Sequence, residues 1–272
     1  MGIAIEPISD ALGAELTGLD LTRPLDAATA DAVRKAWYDH QILLVRGQSL
    51  KNADHLRFCE LFGAIQVERT KPDAADEHPG ILYVSNVRQN AILPDGEMWF
   101  HTDQCYYEIP VSATCLYAIE VPSQGGHTRF ANTYAAYETL PADVKRRIEG
   151  RKAMNVYDYA VNSTHRQGDA RPEAPRWAHP VARTHPVTGR KALFVNRLMS
   201  EHIEGMDRAE SDELLRFLFD HMERPEFVYE HPWVPGDMII WDNRCTAHAR
   251  TDFPKGDRRL LRRIAVEGER PI

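Results

Sequence analysis

The chain has 272 residues, a net charge of −7 and a pI near 5.9, and 43% of its residues are hydrophobic. This composition is typical of a globular protein with a sizeable core, and its acidic balance excludes a general nucleic-acid binder. No apolar run is long enough to span a membrane, no secretion leader is visible, and the four cysteines show no paired spacing, so we expect a cytoplasmic protein with reduced thiols.

The predicted elements are short strands with a few helices between them. Residues 28–39 carry the apolar stripe of a helix, residues 41–45 form the apolar run of a buried strand, and a second helix is predicted to begin with Asn52 as its N-cap. Further strands are predicted at 81–85, 114–119, 192–195, 227–231, 238–241 and 260–266, and further helices at 133–140, 142–149 and 211–222. This pattern indicates a mainly β fold, a sandwich or jelly roll with flanking helices.

We expect a single domain over residues 1–272, because no linker or repeat interrupts the chain. The periodicity weakens between residues 150 and 190, where several prolines occur among Arg and His residues. A long insertion of this kind in a compact domain is usually functional, so we predict a lid around 150–190.

His101 and Asp103 form the most informative pair in the sequence. They lie among aromatic residues that favour strand, where side chains at i and i+2 point to the same face. An imidazole and a carboxylate would then converge, and the distant His248 would complete the two-histidine, one-carboxylate set of non-haem Fe(II) oxygenases. Two other His-x-acid pairs, at 202–204 and 221–223, lie in a predicted loop and at a helix end, where the side chains would not converge.

Two arginines near the C-terminus belong to the predicted strand 260–266 or its edge. Arg259 immediately precedes the strand and Arg263 lies within it. Arg259 and Arg263 are four residues apart, so strand alternation directs their side chains to the same side. Two interpretations stay open: an exposed basic edge strand, or planar guanidinium groups that bind a carboxylate.

Several motifs, each weak alone, resemble those of the taurine dioxygenase family, which also includes the 2,4-dichlorophenoxyacetate oxygenases. They lie, in chain order, at 13–21, 42–48, 62–63, 99–103, 125–128, 193–196, 205–206 and 235–248, with Arg259 after them. Together they cover nearly the whole chain with family-like spacing. The resemblance implies a double-stranded β-helix, a distorted cupin-like jelly roll.

The resemblance also implies a catalytic site. Its Fe(II) ligands would be His101, Asp103 and His248. The distal carboxylate of 2-oxoglutarate would be bound by Arg259 and by the hydroxyl of Thr128. Enzymes of this family use O2 to convert 2-oxoglutarate to succinate and CO2 while they hydroxylate a C–H bond.

The substrate pocket departs from the pattern of taurine dioxygenase. Arg263 matches the family position that meets a substrate anion, although a structural ion pair is an equal alternative. Glu68 stands where taurine dioxygenase has a substrate-contacting His, and Glu97 or Asp95 falls near its amine-contacting Asn, unless these acids are simply solvated. Asn86 is also expected to face the pocket. We therefore expect a small organic acid substrate, a carboxylate, sulfonate or amino-acid-like compound.

Two other classes were weighed against a dioxygenase. A cupin-like isomerase or hydrolase could use Zn or Mn at the same ligands without 2-oxoglutarate, but Arg259 and Thr128 would then have no role. A non-catalytic binding protein on this fold would be expected to lack a ligand, and none is missing. We expect no nucleic-acid or membrane partner and leave the formation of a homo-oligomer open.

Overall fold

The computed structural model describes residues 2–67, 78–88, 93, 96–158 and 171–272. The strands are β1 (Ala4–Pro7), β2 (Ala14–Thr17), β3 (Ile42–Val45), β4 (Ile81–Ser85), β5 (Met98–His101), β6 (Ala113–Glu120), β7 (Thr128–Asn132), β8 (Lys152–Val156), β9 (Arg176–Pro180), β10 (Ala182–Thr184), β11 (Lys191–Leu193), β12 (Ser200–Ile203), β13 (Val228–His231), β14 (Met238–Asp242), β15 (Thr246–Arg250) and β16 (Leu260–Val266). The helices are α1 (Ala27–His40), α2 (Asn52–Cys59), α3 (Thr133–Glu138), α4 (Ala142–Ile148) and α5 (Arg208–Met222), with 3-10 turns at Glu60–Phe62 and Pro225–Phe227.

Two sheets form the double-stranded β-helix predicted from the sequence. The larger has the order β1-β2-β3-β14-β6-β16-β4, and the smaller has the order β13-β7-β15-β5. Their inner faces share one apolar cluster, in which Phe130 of β7 packs against Trp241 of β14 with ring centroids 5.3 Å apart. The pairings are antiparallel except that between β2 and β3. The mainly β jelly-roll prediction is therefore confirmed.

Helices cover the outside of the two sheets. Trp37 and Val33 of α1 pack with Phe58 of α2 against the outer face of the larger sheet. Leu214 and Leu218 of α5 pack with α3 and α4 over the smaller sheet. Within the described residues, no helix is both long and apolar enough to cross a membrane.

Local contacts explain where the first two helices begin. The side chain of Asp26 accepts the backbone N–H of Thr29 at 2.8 Å and caps α1. The N-cap of α2 is Lys51, not Asn52 as predicted, and its backbone N–H donates to Asp54 Oδ2 at 3.1 Å. The Asn52 side chain is instead an acceptor for the Arg262 guanidinium, which removes it from the capping role.

The described part of the 150–190 stretch is more regular than predicted. Strands β8 and β9 join β12 in a three-stranded sheet of order β12-β8-β9, and β10 pairs with β11. Alternation was hard to see because both faces are partly covered. Residues 159–170 lie outside the described residues, and the role of this stretch as a lid stays a prediction.

Candidate metal centre and its surroundings

Three side chains predicted as metal ligands lie close together where strands β5 and β15 of the smaller sheet pair. His101 is the antiparallel partner of His248 across β5 and β15, with ring centroids 4.1 Å apart. Asp103 Oδ1 lies 4.0 Å from His101 Nε2 and 3.9 Å from His248 Nε2. These separations are too long for hydrogen bonds. The ligand atoms therefore converge on one centre without bonding to each other, within 4.8 Å of one another.

Asp103 is held in place from several sides. It lies two residues beyond β5, in a turn, so strand alternation does not orient it as predicted. Its Oδ2 accepts hydrogen bonds from Thr114 Oγ1 at 2.6 Å and from Arg263 Nη2 at 3.0 Å. Asn243 accepts the Asp103 backbone N–H and donates to its carbonyl, both at 3.0 Å. These contacts leave Oδ1 directed toward the two histidines.

The charge states of the three groups suit a divalent cation. Burial lowers the pKa of His101, and burial together with the neighbouring His101 lowers the pKa of His248 to about 3. Burial alone would raise the pKa of Asp103, but the charge of Arg263 and the hydrogen bond from Thr114 bring it below its usual value. His101 Nδ1 lies 2.9 Å from the Trp99 carbonyl, which can only accept, so Nδ1 carries the proton and Nε2 keeps its lone pair. Two neutral imidazoles and one carboxylate fit Fe(II).

Two other clusters of metal-ligand residue types lie in the described part of the chain, and neither is arranged for a cation. In one, His185 Nδ1 accepts two backbone N–H groups and Nε2 lies 2.9 Å from Asp242, so both ring nitrogens are occupied. In the other, the Arg262 guanidinium donates to His55 Nδ1 at 3.1 Å and Nε2 faces Cys115 Sγ. A fixed guanidinium beside the ring opposes a second cation there.

Arg259 is a buried guanidinium linked to this centre through Arg250, whose charge acts on both Arg259 and His101. It is 1% exposed, and its Nε and Nη1 have no hydrogen-bond partner among the described residues. Its Nη2 is 3.4 Å from the carbonyl oxygen of Gly126, a long contact. Burial and the nearby charge of Arg250 lower the pKa of Arg259 to about 9, so an anion beside it would stabilise its charged form.

Thr128 lies on the same sheet face as His101 and His248. It opposes Arg250 across β7 and β15, while Phe130 opposes His248 two residues further along. Residues two apart on a strand share a face, so the hydroxyl of Thr128 and the imidazole of His248 point into the same interior. Thr128 is 3% exposed and accepts the indole N–H of Trp233 at 2.9 Å.

The predicted substrate residues have different surroundings. Arg263 is next to the metal centre, through its bond to the Asp103 carboxylate. Glu97 is exposed and lies 3.5 Å from Arg129 on the outer side of the smaller sheet. The amide of Asn86 donates to the Asp257 carbonyl and accepts the Arg259 backbone N–H, so it holds the segment that carries Arg259, and its place in the substrate pocket stays a prediction. Glu68 and Asp95 lie outside the described residues.

Three residues near the site were not predicted as functional. Asn243 lies in the family-like segment 235–248 without a predicted role of its own, and Trp233 lies in no predicted motif. Thr114 was predicted only as a strand residue. A buried amide next to an Asp in the segment Trp241–Arg244 could have indicated a positioning role. Nothing in the sequence indicated that Trp233 would reach Thr128, 105 positions away.

Comparisons with known proteins identify the family of this chain. A family model described as "Taurine catabolism dioxygenase TauD, TfdA family" matches residues 4–265. The chain is 30% identical to the (S)-phenoxypropionate/alpha-ketoglutarate-dioxygenase of Sphingobium herbicidovorans, over 97% of this chain and 95% of that relative. It is 32% identical to the alpha-ketoglutarate-dependent sulfate ester dioxygenase of Pseudomonas putida, over 98% of this chain and 90% of that relative.

A solved structure is similar over the whole chain. The crystal structure of AAD-2 in complex with Mn(II) and N-oxalylglycine superposes with a TM-score of 0.85 at 28% identity, covering 100% of this chain and 98% of the other. Family membership decides against the cupin-like isomerase or hydrolase considered from the sequence. The chain belongs to the TauD/TfdA family and is an Fe(II)- and 2-oxoglutarate-dependent dioxygenase.

Proposed function

We propose that His101, Asp103 and His248 hold the Fe(II) ion and that Arg259 and Thr128 bind the distal carboxylate of 2-oxoglutarate. The observation that carries this proposal is the buried Arg259 guanidinium, whose Nε and Nη1 lack partners in the described chain. A buried cation without a counter-ion is costly, and a bound carboxylate would offset that cost through a bidentate bond. N-oxalylglycine, present in the similar crystal structure, carries two carboxyl groups, as 2-oxoglutarate does.

The chain's own residues prepare this chemistry. Bound Fe(II) would supply, with O2, the oxidative decarboxylation of 2-oxoglutarate to succinate and CO2 and the hydroxylation of a substrate C–H bond. Thr114 and Arg263 orient the Asp103 carboxylate, and the Trp99 carbonyl fixes the tautomer of His101. Phe130 and Trp241 pack near the His248 ring, at centroid distances of 6.3 and 4.7 Å, and exclude water from that side.

The metal assignment is tested by Fe(II) binding to single-alanine variants. His101→Ala, Asp103→Ala and His248→Ala should each lower iron affinity by a factor of about 10 to 100 or more while the fold is retained. His185→Ala is a matched control, because it alters another cluster of the same residue types whose ring nitrogens are already occupied. Iron retained by Asp103→Ala but lost from His185→Ala would reverse the assignment.

The co-substrate assignment is tested at Arg259. Removing one partner of a buried charge pair costs on the order of 2–5 kcal/mol, so Arg259→Ala should raise the Kd for 2-oxoglutarate at least tenfold. Arg258→Ala is the matched control, since its side chain is 65% exposed and pairs with Glu120. Calorimetric titration of 2-oxoglutarate into anaerobic Fe(II) protein measures both. An unchanged Kd for Arg259→Ala would show that another group binds the carboxylate.

We propose a small organic acid as the substrate, held through its anionic group by Arg263. The guanidinium of Arg263 touches the carboxylate proposed as a metal ligand, so an anion bound there would bring its neighbouring carbons close to the metal. The relatives named above act on a phenoxypropionate and on sulfate esters, which also carry anionic groups. A cationic group on the substrate could meet Glu68, but Glu97 pairs with Arg129 on the outer side.

A substrate panel tests this class. Succinate formation is measured with carboxylates, sulfonates, sulfate esters and amino acids, each beside its neutral amide or alcohol. The acids should be turned over and the neutral compounds should not. For the best substrate, Arg263→Lys should retain more activity than Arg263→Ala, because Lys keeps the charge. Normal turnover of a neutral substrate by Arg263→Ala would contradict the anion site.

Three further points concern the extent of the domain, the location of the protein and its oligomeric state. We propose that residues 1–272 form one dioxygenase domain, supported by the family match over 4–265. A cytoplasmic location is supported by four free, buried cysteines and by the need to keep iron reduced. The third point, whether the chain forms a homo-oligomer, stays open, and the molar mass in solution would decide it.

A further inference from the structure

Trp233 makes a hydrogen bond that its burial does not require. It lies two residues beyond β13, is 8% exposed, and its indole Nε1 donates to Thr128 Oγ1 at 2.9 Å. Two other buried tryptophans, Trp37 and Trp241, have indole N–H groups without a partner among the described residues. An unpaired indole is therefore tolerated in this fold, and the bond from Trp233 to Thr128 calls for a separate explanation.

The bond determines what the Thr128 hydroxyl can still do. A threonine hydroxyl has one hydrogen to donate and two lone pairs that accept. Because the indole N–H occupies one lone pair, the oxygen is oriented and its own hydrogen must point to a different acceptor. Gly126, whose carbonyl receives Arg259 Nη2, lies two residues before Thr128 in the chain. The hydroxyl and the unpartnered guanidinium nitrogens are thus held at the same end of the site.

Trp233 is itself fixed by a polar chain from the protein surface. The ring of His231 lies perpendicular to the indole at a centroid distance of 4.7 Å. His231 Nδ1 accepts from Tyr229 at 2.9 Å, so Nε2 donates to Asp237 at 3.0 Å. Asp237 also accepts from Arg46 at 2.9 Å. Burial lowers the pKa of His231, which agrees with this neutral form.

We propose that Trp233 is a positioning residue for the co-substrate: its indole N–H holds the Thr128 hydroxyl so that the hydroxyl donates to the carboxylate that Arg259 binds. This inference rests on the proposed roles of Thr128 and Arg259. It adds a residue that acts on the co-substrate only through Thr128. It also gives a reason for a buried tryptophan two residues beyond β13.

The test measures the Kd of 2-oxoglutarate by calorimetry on anaerobic Fe(II) protein. Trp233→Phe removes the N–H, Thr128→Val removes the hydroxyl, and a double variant removes both. Thr128→Val should weaken binding about tenfold and Trp233→Phe about three- to tenfold, since one hydrogen bond to a charged group is at stake. The double variant should bind no more weakly than Thr128→Val, because the indole acts only through the hydroxyl.

Trp37→Phe is the matched control, since it truncates a buried indole whose N–H has no partner in the described chain. It should lower thermal stability and leave the Kd unchanged. If Trp233→Phe does not fold, benzothienylalanine at position 233 removes the N–H and keeps the ring shape, and the same Kd increase is expected. In all variants, kcat at saturating 2-oxoglutarate should change less than KM.

The outcomes separate this inference from the proposed function. A normal Kd for Trp233→Phe with a weakened Thr128→Val would overturn the positioning role alone. Additive losses in the double variant would do the same, since they would mean a general packing effect. A normal Kd for Thr128→Val and Arg259→Ala would overturn the co-substrate site and this inference together.

Discussion

Asn243 shows how one side chain can fix Asp103, a proposed metal ligand that no regular element orients. Asp103 lies in a turn beyond β5, followed by Gln104 with a φ of 57°. The Asn243 amide accepts the Asp103 N–H, donates to the Asp103 carbonyl, and donates to the Val111 carbonyl at 2.9 Å. Because both ends of the amide are engaged, the turn is held against the start of β6.

We therefore predict that Asn243→Ala weakens Fe(II) binding by a factor of about 10 to 100, as is usual when a group that orients a metal ligand is lost. Titration of the apoprotein with Fe(II) under argon measures the effect. The control is Asn155→Ala, another fully buried amide, which bonds to Ala153 and Ser200 away from the metal centre. If both variants bind iron as the wild type does, the turn holds Asp103 without Asn243.

At the level of elements, a turn of two glycines before β7 leaves room for the side chain of Arg259, the proposed co-substrate ligand. Gly125 and Gly126 precede β7 with φ values of 67° and 64°, in the left-handed region. A Cβ at Gly125 would fall 2.2 Å from the Asp252 carbonyl oxygen, and one at Gly126 would fall 3.4 Å from Arg259 Nε. The turn therefore needs glycine both for its backbone conformation and because Asp252 and Arg259 approach it closely.

Gly125→Ala should be clearly more destabilising than Gly150→Ala. Both glycines have nearly the same positive φ, but a Cβ at Gly150 would meet nothing within 4 Å. The conformational cost of about 1 kcal/mol is shared, so the excess loss at Gly125, on the order of 1–3 kcal/mol, measures the clash. Urea unfolding gives both values. We also expect weaker 2-oxoglutarate binding in Gly125→Ala only, and equal losses in both variants would contradict this account.

The sequence predicted those elements whose local pattern and packing agree. Strand β16 occupies the predicted residues, because residues on both of its faces are largely buried and its alternation directs Arg263 toward Asp103. The pairing of His101 with Asp103 was predicted for the wrong reason, since the carboxylate is placed by long-range bonds rather than by strand alternation. Asn86 shows the same limit, because its partners lie more than 170 positions away.

At the level of the whole molecule, the acidic chain concentrates positive charge at the site. The net charge is −7, yet Arg263 contacts the Asp103 carboxylate, the charge of Arg250 acts on His101, and the buried Arg259 lies close enough to Arg250 for their charges to repel. Such a local field raises the concentration of small anions where they react, although the global charge repels them. Burial also keeps several histidines neutral by lowering their pKa, and this makes the stability of the fold depend on pH.

His179 is one such histidine, at 1% exposure, with Nε2 2.8 Å from the Tyr107 carbonyl. Burial lowers its pKa to about 4. The unfolded chain takes up a proton near pH 6.5 while the folded protein does not, so acid favours unfolding. The stabilisation is complete above pH 6.5 and is lost as the pH falls toward 4, at up to about 1.4 kcal/mol per pH unit.

His179→Gln isolates this contribution, because glutamine can still donate an N–H to the Tyr107 carbonyl but does not titrate. We expect the unfolding free energy of the metal-free wild type, measured with urea at several values between pH 7.5 and 4.5, to fall more steeply than that of the variant. The difference between the two slopes should approach about 1.4 kcal/mol per pH unit near pH 5. His101 and His248 are also buried and titrate in both proteins, so their contribution cancels in the difference. Parallel curves for the two proteins would mean that His179 takes up its proton at the same pH in the folded and the unfolded state, so that burial does not lower its pKa.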